Sequence, residues 1–229
     1  MSYSNGPKMI TNGLILYLDA ANPRSYVSGS NTWNDLSQNK LSGQLINGTG
    51  YSSSNKGSLV FDGSNDFVQI PPNAAFDFGS SNFTLNMRMW ISSQAVDPIV
   101  FYQGNNSGYA PLLIYVPGSV TVWASSNGSS WDIFDSGLGA PFTYNTWFDY
   151  TLTRSGNLWT AYIDGVSKNS STRAGTLYSS DTDLKIGART GSYNNYTNGN
   201  IASVKIYNRP LSADEVKQNY NATKGRYTL

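Results

Sequence analysis

Phe83-Thr84-Leu85-Asn86-Met87-Arg88-Met89-Trp90-Ile91 is the stretch whose reading decides the fold class. Successive side chains of an extended strand point to opposite sides, so Phe83, Leu85, Met87, Met89 and Ile91 share one face while Thr84, Asn86, Arg88 and Trp90 share the other. The expectation is a half-buried strand with its apolar face in the core and its polar face largely in solvent. On that outer face Arg88 and Trp90 are candidate interface residues, suited to a subunit contact or a cation–π patch.

Working outward, apolar residues recur at period two in short runs separated by Gly, Asn, Ser and Asp clusters. Further strands are predicted at 14–18, 58–62, 67–70, 99–102, 112–116, 120–124, 131–134, 147–153, 158–163, 184–187 and 201–207. That many short strands require two packed sheets. Asp164-Gly165, between Ile163 and Val166, is the turn chemistry of a two-residue hairpin because glycine tolerates positive φ. One helix is marked near the end: Ser212 and Glu215 form a capping box, and Leu211 and Val216 stand where a hydrophobic staple would hold the entering chain. No charge run or proline-rich stretch marks a linker, and no internal repeat is evident, so the whole of 1–229 reads as one domain.

Composition excludes much chemistry. The 229 residues contain no His and no Cys, and the only Glu is Glu215. Ser-His-Asp and Cys-His nucleophile systems, His/Cys zinc sites and disulfides are therefore impossible, while oxygen-ligated hard cations are not. Fifteen Lys and Arg balance fourteen Asp and Glu for a net charge of +1, too weak a field to favour nucleic acid or anionic lipid. Aromatic residues at 14% supply the apolar area that disordered chains lack. The opening MSYSNGPKMITNG lacks a secretory pattern, and no apolar run approaches the roughly 18 residues of a membrane span. The expectation is cytoplasmic synthesis without membrane insertion.

Ser58-Leu-Val-Phe-Asp-Gly-Ser-Asn-Asp-Phe-Val68, followed by Phe83-Thr84-Leu85, resembles the opening of laminin-G-like domains of the concanavalin A-like lectin/glucanase superfamily. Trp147 with 157–165 is similar to their middle hairpin, and 184–188 with 199–216 to their closing strand and short helix. The resemblance implies an all-β jelly-roll β-sandwich of two curved antiparallel sheets, with one short C-terminal helix and with the first and last strands side by side. Strand 14–18 would then pair near 201–207, making 1–50 an N-terminal segment that contributes an edge strand.

Residues 12–23, Trp33-Asn34-Asp35-Leu36-Ser37 and 43–48 are similar to the segment preceding this domain in bacteriophage structural proteins. That narrower likeness implies a non-enzymatic virion component, either a capsid decoration or a tail or fibre protein. It would sit on the virion surface, contact the major capsid or tail protein, form a homo-oligomer and adhere to glycans. A lectin module outside any virion is the alternative, and a glycoside hydrolase a more distant one.

Glucanases of this family use paired Glu residues, with the two carboxyl groups about 5 Å apart in retaining enzymes. Here the lone Glu caps a helix, so a catalytic site is not expected. Family members often carry Ca2+ at the sandwich rim. Ala202 and Ser203 stand where acidic residues are frequent, leaving Asp97, Asp181 and Asp183, with Asp62 and Asp66, as oxygen donors that are equally suited to forming turns. Glycan binding needs an aromatic platform for the apolar face of a sugar and amide or carboxylate groups for its hydroxyls. Three stretches combine both: Tyr102, Asn105, Asn106 and Tyr109; Trp123, Asn127, Trp131 and Asp132; and Tyr193, Asn194, Asn195 and Tyr196. The same residues suit an aromatic protein interface.

Overall fold

The computed structural model describes residues 7–104 and 108–226. In chain order the strands are β1 (Leu14–Asp19), β2 (Thr32–Trp33), β3 (Gly43–Ile46), β4 (Gly50–Ser52), β5 (Ser58–Asp62), β6 (Phe67–Ile70), β7 (Phe83–Ile91), β8 (Ile99–Gln103) and β9 (Leu112–Tyr115). There follow β10 (Ser119–Ala124), β11 (Phe134–Pro141), β12 (Trp147–Ser155), β13 (Leu158–Ile163), β14 (Val166–Thr172), β15 (Leu184–Ile186), β16 (Ala188–Arg189), β17 (Asn195–Tyr196) and β18 (Asn198–Tyr207), then helix α1 (Ala213–Thr223). They form two large antiparallel sheets, one ordered β14-β13-β12-β7-β18-β5-β4 with β1 also on β18, the other β11-β10-β9-β8-β15-β6-β3-β2. The architecture is the expected all-β sandwich with one short C-terminal helix.

Strand β7 lies between β12 and β18, and its five apolar residues, Phe83, Leu85, Met87, Met89 and Ile91, are all fully buried in the core shared by the two sheets. Its other face departs from expectation. Thr84, Asn86 and Arg88 are buried as well. The reason is the chain after β18, which turns back across this face. The Thr84 hydroxyl donates to the Arg209 carbonyl and accepts the Leu211 N–H. The Arg88 guanidinium lies beneath the Tyr220 ring of α1 and pairs with Asp164. Arg88 is therefore an internal residue rather than a surface contact, and Trp90 is half-buried.

Local signals map directly onto the structure. Asp164 and Gly165 both take positive φ (53° and 75°) in the β13–β14 turn. Ser212 caps α1 with the reciprocal capping box, and Leu211 packs with Val216. The 131–134 run is corrected: β11 begins only at Phe134, because the Asp132 carboxylate accepts the Ser126 N–H and hydroxyl and closes a loop there.

The N-terminal segment serves both sheets. Strand β1 pairs with the C-terminal half of β18, from Leu14↔Tyr207 to Asp19↔Ser203, while β5 pairs with its N-terminal half. Strands β2 and β3 extend the second sheet from β6. Buried Asp35 ties the segment together, accepting the N–H groups of Tyr17, Ser37 and Leu41 and the Ser37 hydroxyl.

Candidate functional site

The outer face of the second sheet carries an aromatic cluster separate from the main core. It exists because β8 is irregular: its register against β9 shifts between Ile99↔Tyr115 and Phe101↔Ile114. Val100 and Phe101 both enter the core, while Ile99 and Tyr102 join Leu113 and Ala110 outside, with half-buried Tyr115, Trp123 and Trp131 packed against them. Cross-strand register then lays Tyr102, Leu113 and Trp123 side by side across β8, β9 and β10.

Above this floor is a half-open cleft of about 170 Å³. Its aromatic wall is Tyr115, Trp123 and Trp131, with Ile99 and Leu113 at the base. Trp123 and Trp131 meet edge to face, centroids 5.4 Å apart at 74°, and Trp131 in turn meets Tyr109 at 5.3 Å and 65°. These are the favoured geometries for ring quadrupoles, so each ring of the platform supports the next. Polar lining comes from Asp97, Arg189 and Asn195.

The polar groups are held by different means. The Tyr115 hydroxyl donates to Asp97; burial first, then this carboxylate, pushes the phenol up from its ordinary value. Arg189 and Asn195 face each other across the small β16–β17 ladder. The Arg189 guanidinium lies 3.7 Å from the centroid of the exposed Tyr193 ring and donates from Nη2 to the Gly108 carbonyl. Two donors in the lining, Trp123 Nε1 and Arg189 Nε, are buried without an acceptor, as is the hydroxyl of Tyr102 beneath them. Burial first, and Tyr193 in smaller part, raise the Tyr102 pKa, with Arg189 opposing.

Of the residues singled out by sequence, Tyr102, Tyr109, Trp123, Trp131, Tyr193 and Asn195 come together here, although they lie on stretches up to ninety residues apart. Asn127 and Asp132 do not. The Asn127 side chain accepts the N–H groups of Ser129 and Ser130; burial pushes the Asp132 carboxyl up, but hydrogen bonds from Ser126, its own backbone and Ser125 together hold it below the ordinary carboxylate range. Both are turn formers. Asn194, at φ 42°, and Tyr196, paired with Ala188, lie beside the cleft's lining rather than in it. Asn105 and Asn106 lie outside the described residues. Sequence reading missed Tyr115 and Arg189. Tyr115 shares its alternation face with Leu113, a signal that would have placed it beside Trp123.

The proposed Ca2+ donors are dispersed. Asp97 is engaged by Tyr115, Asp183 accepts from Gln69 Nε2 at 2.7 Å, Asp66 accepts the Asp62 N–H, and Asp62 accepts the Ser64 N–H. Asp181 is exposed. Among the described residues no three acidic side chains converge, whereas Ca2+ takes six to eight oxygens. The donor set therefore does not fit a carboxylate-rich Ca2+ site. Among the described residues Asp97 is the sole carboxylate in the cleft lining.

Comparison with known proteins follows this geometry. A laminin-G-type family model, described as the concanavalin A-like lectin/glucanases superfamily, matches residues 62–217. Comparison with curated protein sequences gives no match. Among solved structures, the binding domain of Paraclostridial Mosquitocidal Protein 1 superposes with a TM-score of 0.69 at 16% identity, covering 92% of this chain and 52% of that one. A Trypanosoma rangeli sialidase mutant displaying trans-sialidase activity gives 0.70 at 16%, covering 97% and 35%. Domain 4 of AbnA, a GH43 extracellular arabinanase from Geobacillus stearothermophilus, in complex with arabinotriose, gives 0.68 at 14%, covering 92% and 100%. The chain thus spans about half of the first and a third of the second; at these identities the likeness shows a shared fold.

Proposed function

The chain belongs to the concanavalin A-like lectin/glucanases superfamily and is a lectin-like β-sandwich, and from that premise we propose that it is a carbohydrate-binding protein whose site is the Trp123–Trp131 cleft, binding without hydrolysis. The observation that carries this reading is the preformed aromatic wall beside Asn195 and Asp97 in a space of about 170 Å³. A pyranose ring stacks its C–H face on indole, and amide and carboxylate groups take its hydroxyls. A neighbouring fold, the arabinanase domain, is complexed with arabinotriose, which supports a sugar as ligand. Hydrolysis calls for two carboxylates flanking the bond. Glu215 is committed to capping α1, and among the described residues Asp97 is the sole carboxylate in the cleft lining.

The test is a glycan array followed by titration of the best ligand against wild type and Trp131→Ala. Trp131 packs on the outer cluster of Ile99, Tyr102, Ala110 and Leu113 and not in the core between the sheets, so its truncation leaves that core intact. The expected result is binding that weakens at least about tenfold in the variant, as for a stacking aromatic anchor, with no release of reducing sugar. A blank array, or a variant that binds like wild type, overturns the reading.

We place this module on a bacteriophage virion, as a capsid decoration or a tail or fibre component, on the likeness of residues 12–23 and 33–37 to phage structural proteins. The integration of that stretch through Asp35 into both sheets is consistent with it being part of the same functional unit. Mass spectrometry of gradient-purified particles tests the placement. A copy number comparable to the major capsid protein indicates decoration and a far lower one a tail protein; absence from particles overturns it.

A further inference from the structure

Arg189 carries a positive charge that the cleft leaves unneutralised. Among the described residues it forms no ion pair, whereas Arg88 pairs with Asp164, Arg209 with Glu215 and Arg226 with Asp19, and buried Arg154, also without an ion pair, spends its donors on the Gly79, Gly156 and Gly175 carbonyls. It is nonetheless held in place. Its guanidinium carbon lies 3.7 Å from the Tyr193 ring centroid, 5.8 Å from that of Tyr102 and 6.0 Å from that of Trp131. Three ring faces and the Gly108 carbonyl fix the position of a cation without cancelling it. Its Nε–H, and the Trp123 indole N–H in the same lining, are buried and have no acceptor. An unmet donor in a dry site costs free energy until something supplies a lone pair.

The sheet order gives the cleft a direction. Arg189 follows β15, which pairs with one side of β8, whereas Tyr115 lies on β9, along the other side. Asp97 is bound to Tyr115. The floor residue Ile99 on β8 therefore separates a side that carries the Arg189 cation from a side that carries the Asp97 anion.

We propose that the cleft selects an acidic sugar residue, one whose anionic oxygens lie against Arg189 while its hydroxyls donate toward Asp97. This rests on the reading of the cleft as a glycan site and deepens it: the aromatic wall supplies affinity for a sugar ring, and Arg189 is the specificity-determining residue. The shared chemistry is an oxyanion on a pyranose, and a carboxylate or a sulfate ester would supply it. Asp97 disfavours an anion on the wrong side, so the charge pattern fixes ligand orientation as well as class.

The test uses the full chain on an array of uronate-, sialate- and sulfate-bearing glycans with their neutral counterparts, then titrates the best acid against its methyl ester or desulfated form. The expected result is hits enriched in acidic glycans and a preference for the acid of about tenfold, the range of a charge-assisted hydrogen bond, falling as salt rises. Arg189→Gln abolishes the discrimination while keeping a cooperative melt, and Arg189→Lys, which keeps the charge, retains part of it. Carboxylated or sulfated hits alone identify the oxyanion. If acid and neutral form bind equally, or if Arg189→Gln keeps the preference, this inference is overturned while the glycan reading stands. If nothing on the array binds, or if Trp131→Ala binds as wild type, the glycan reading falls and this inference with it.

Discussion

Lys205 is 1% exposed, and its ammonium donates to Asn86 Oδ1 at 3.0 Å. The Asn86 amide donates in turn to Asp149 Oδ1 at 2.6 Å, so one neutral side chain bridges a buried cation and a buried anion. Burial lowers the Lys205 pKa and raises that of Asp149, and each charge opposes the shift in the other. Removing one partner leaves the other uncompensated in a low-dielectric site. Asp149→Ala, which strands Lys205 beside Arg88, is expected to cost about 3–5 kcal/mol in urea unfolding; a loss below about 1 kcal/mol would show that the charges are not coupled. Alternation along β7 placed Asn86 on one face with Thr84 and Arg88, but nothing in the sequence joined it to Lys205 or Asp149. That the β7 face is internal depends on the chain after β18, whose Arg209 carbonyl meets Thr84 from 125 residues further along, and no local pattern carries that information.

At the scale of elements, α1 shows how a short-range signal becomes a tertiary clamp. Ser212 and Glu215 cap each other, and Glu215 also takes a bidentate Arg209 pair at 2.8 and 2.6 Å. The Arg209 hydrogen bonds hold the Glu215 carboxyl below its ordinary value of 4.5, against a smaller opposing effect of burial. A folded-state value below the unfolded one means that this stabilisation is present above pH 4.5 and is lost as pH falls through the folded value. Amide exchange of 213–223, expressed as protection factors that remove the intrinsic slowing of exchange in acid, should therefore lose protection on acidification below that point before the strands open. Glu215→Gln should flatten the dependence and cost about 1 kcal/mol at pH 7. Unaltered protection of α1 across that range would contradict the assignment. The capping box and the Asp164-Gly165 turn were legible because their determinants lie within four residues. The 131–134 run was not, since Asp132 reaches back to Ser126 and the partner strand β10 meets β11 through two register shifts. A propensity pattern does not record where a ladder slips.

For the whole molecule, the family match begins at residue 62, yet the preceding segment is structural. Leu16, Leu18 and Trp33 are fully buried, β1 covers half of β18, and β3 pairs with β6. Deleting residues 1–50 removes the core side chains of Ile15, Leu16, Leu18, Tyr26 and Trp33 and unpairs β1 from β18 and β3 from β6, a loss of well over 5 kcal/mol at about 1.5–3 kcal/mol per buried side chain plus its cavities. The expected outcome is an unfolded or aggregated product by circular dichroism; a cooperative melt near wild type would make the segment an appendage.

Period-two alternation, turn dipeptides and a capping box are local, so the sequence by itself determined the all-β class, two sheets, one helix and the exclusion of His- and Cys-based chemistry. It also supplied Tyr102, Tyr109, Trp123, Trp131, Tyr193 and Asn195 as aromatic and amide candidates. The tertiary structure alone decided that those six converge, that Asn127 and Asp132 do not, and that Tyr115 and Arg189 complete the cleft. It also decided that Arg88 faces a helix instead of solvent. Convergence depends on the β8 register shift and the order β10-β9-β8-β15, which are long-range pairings selected by packing of the entire sandwich.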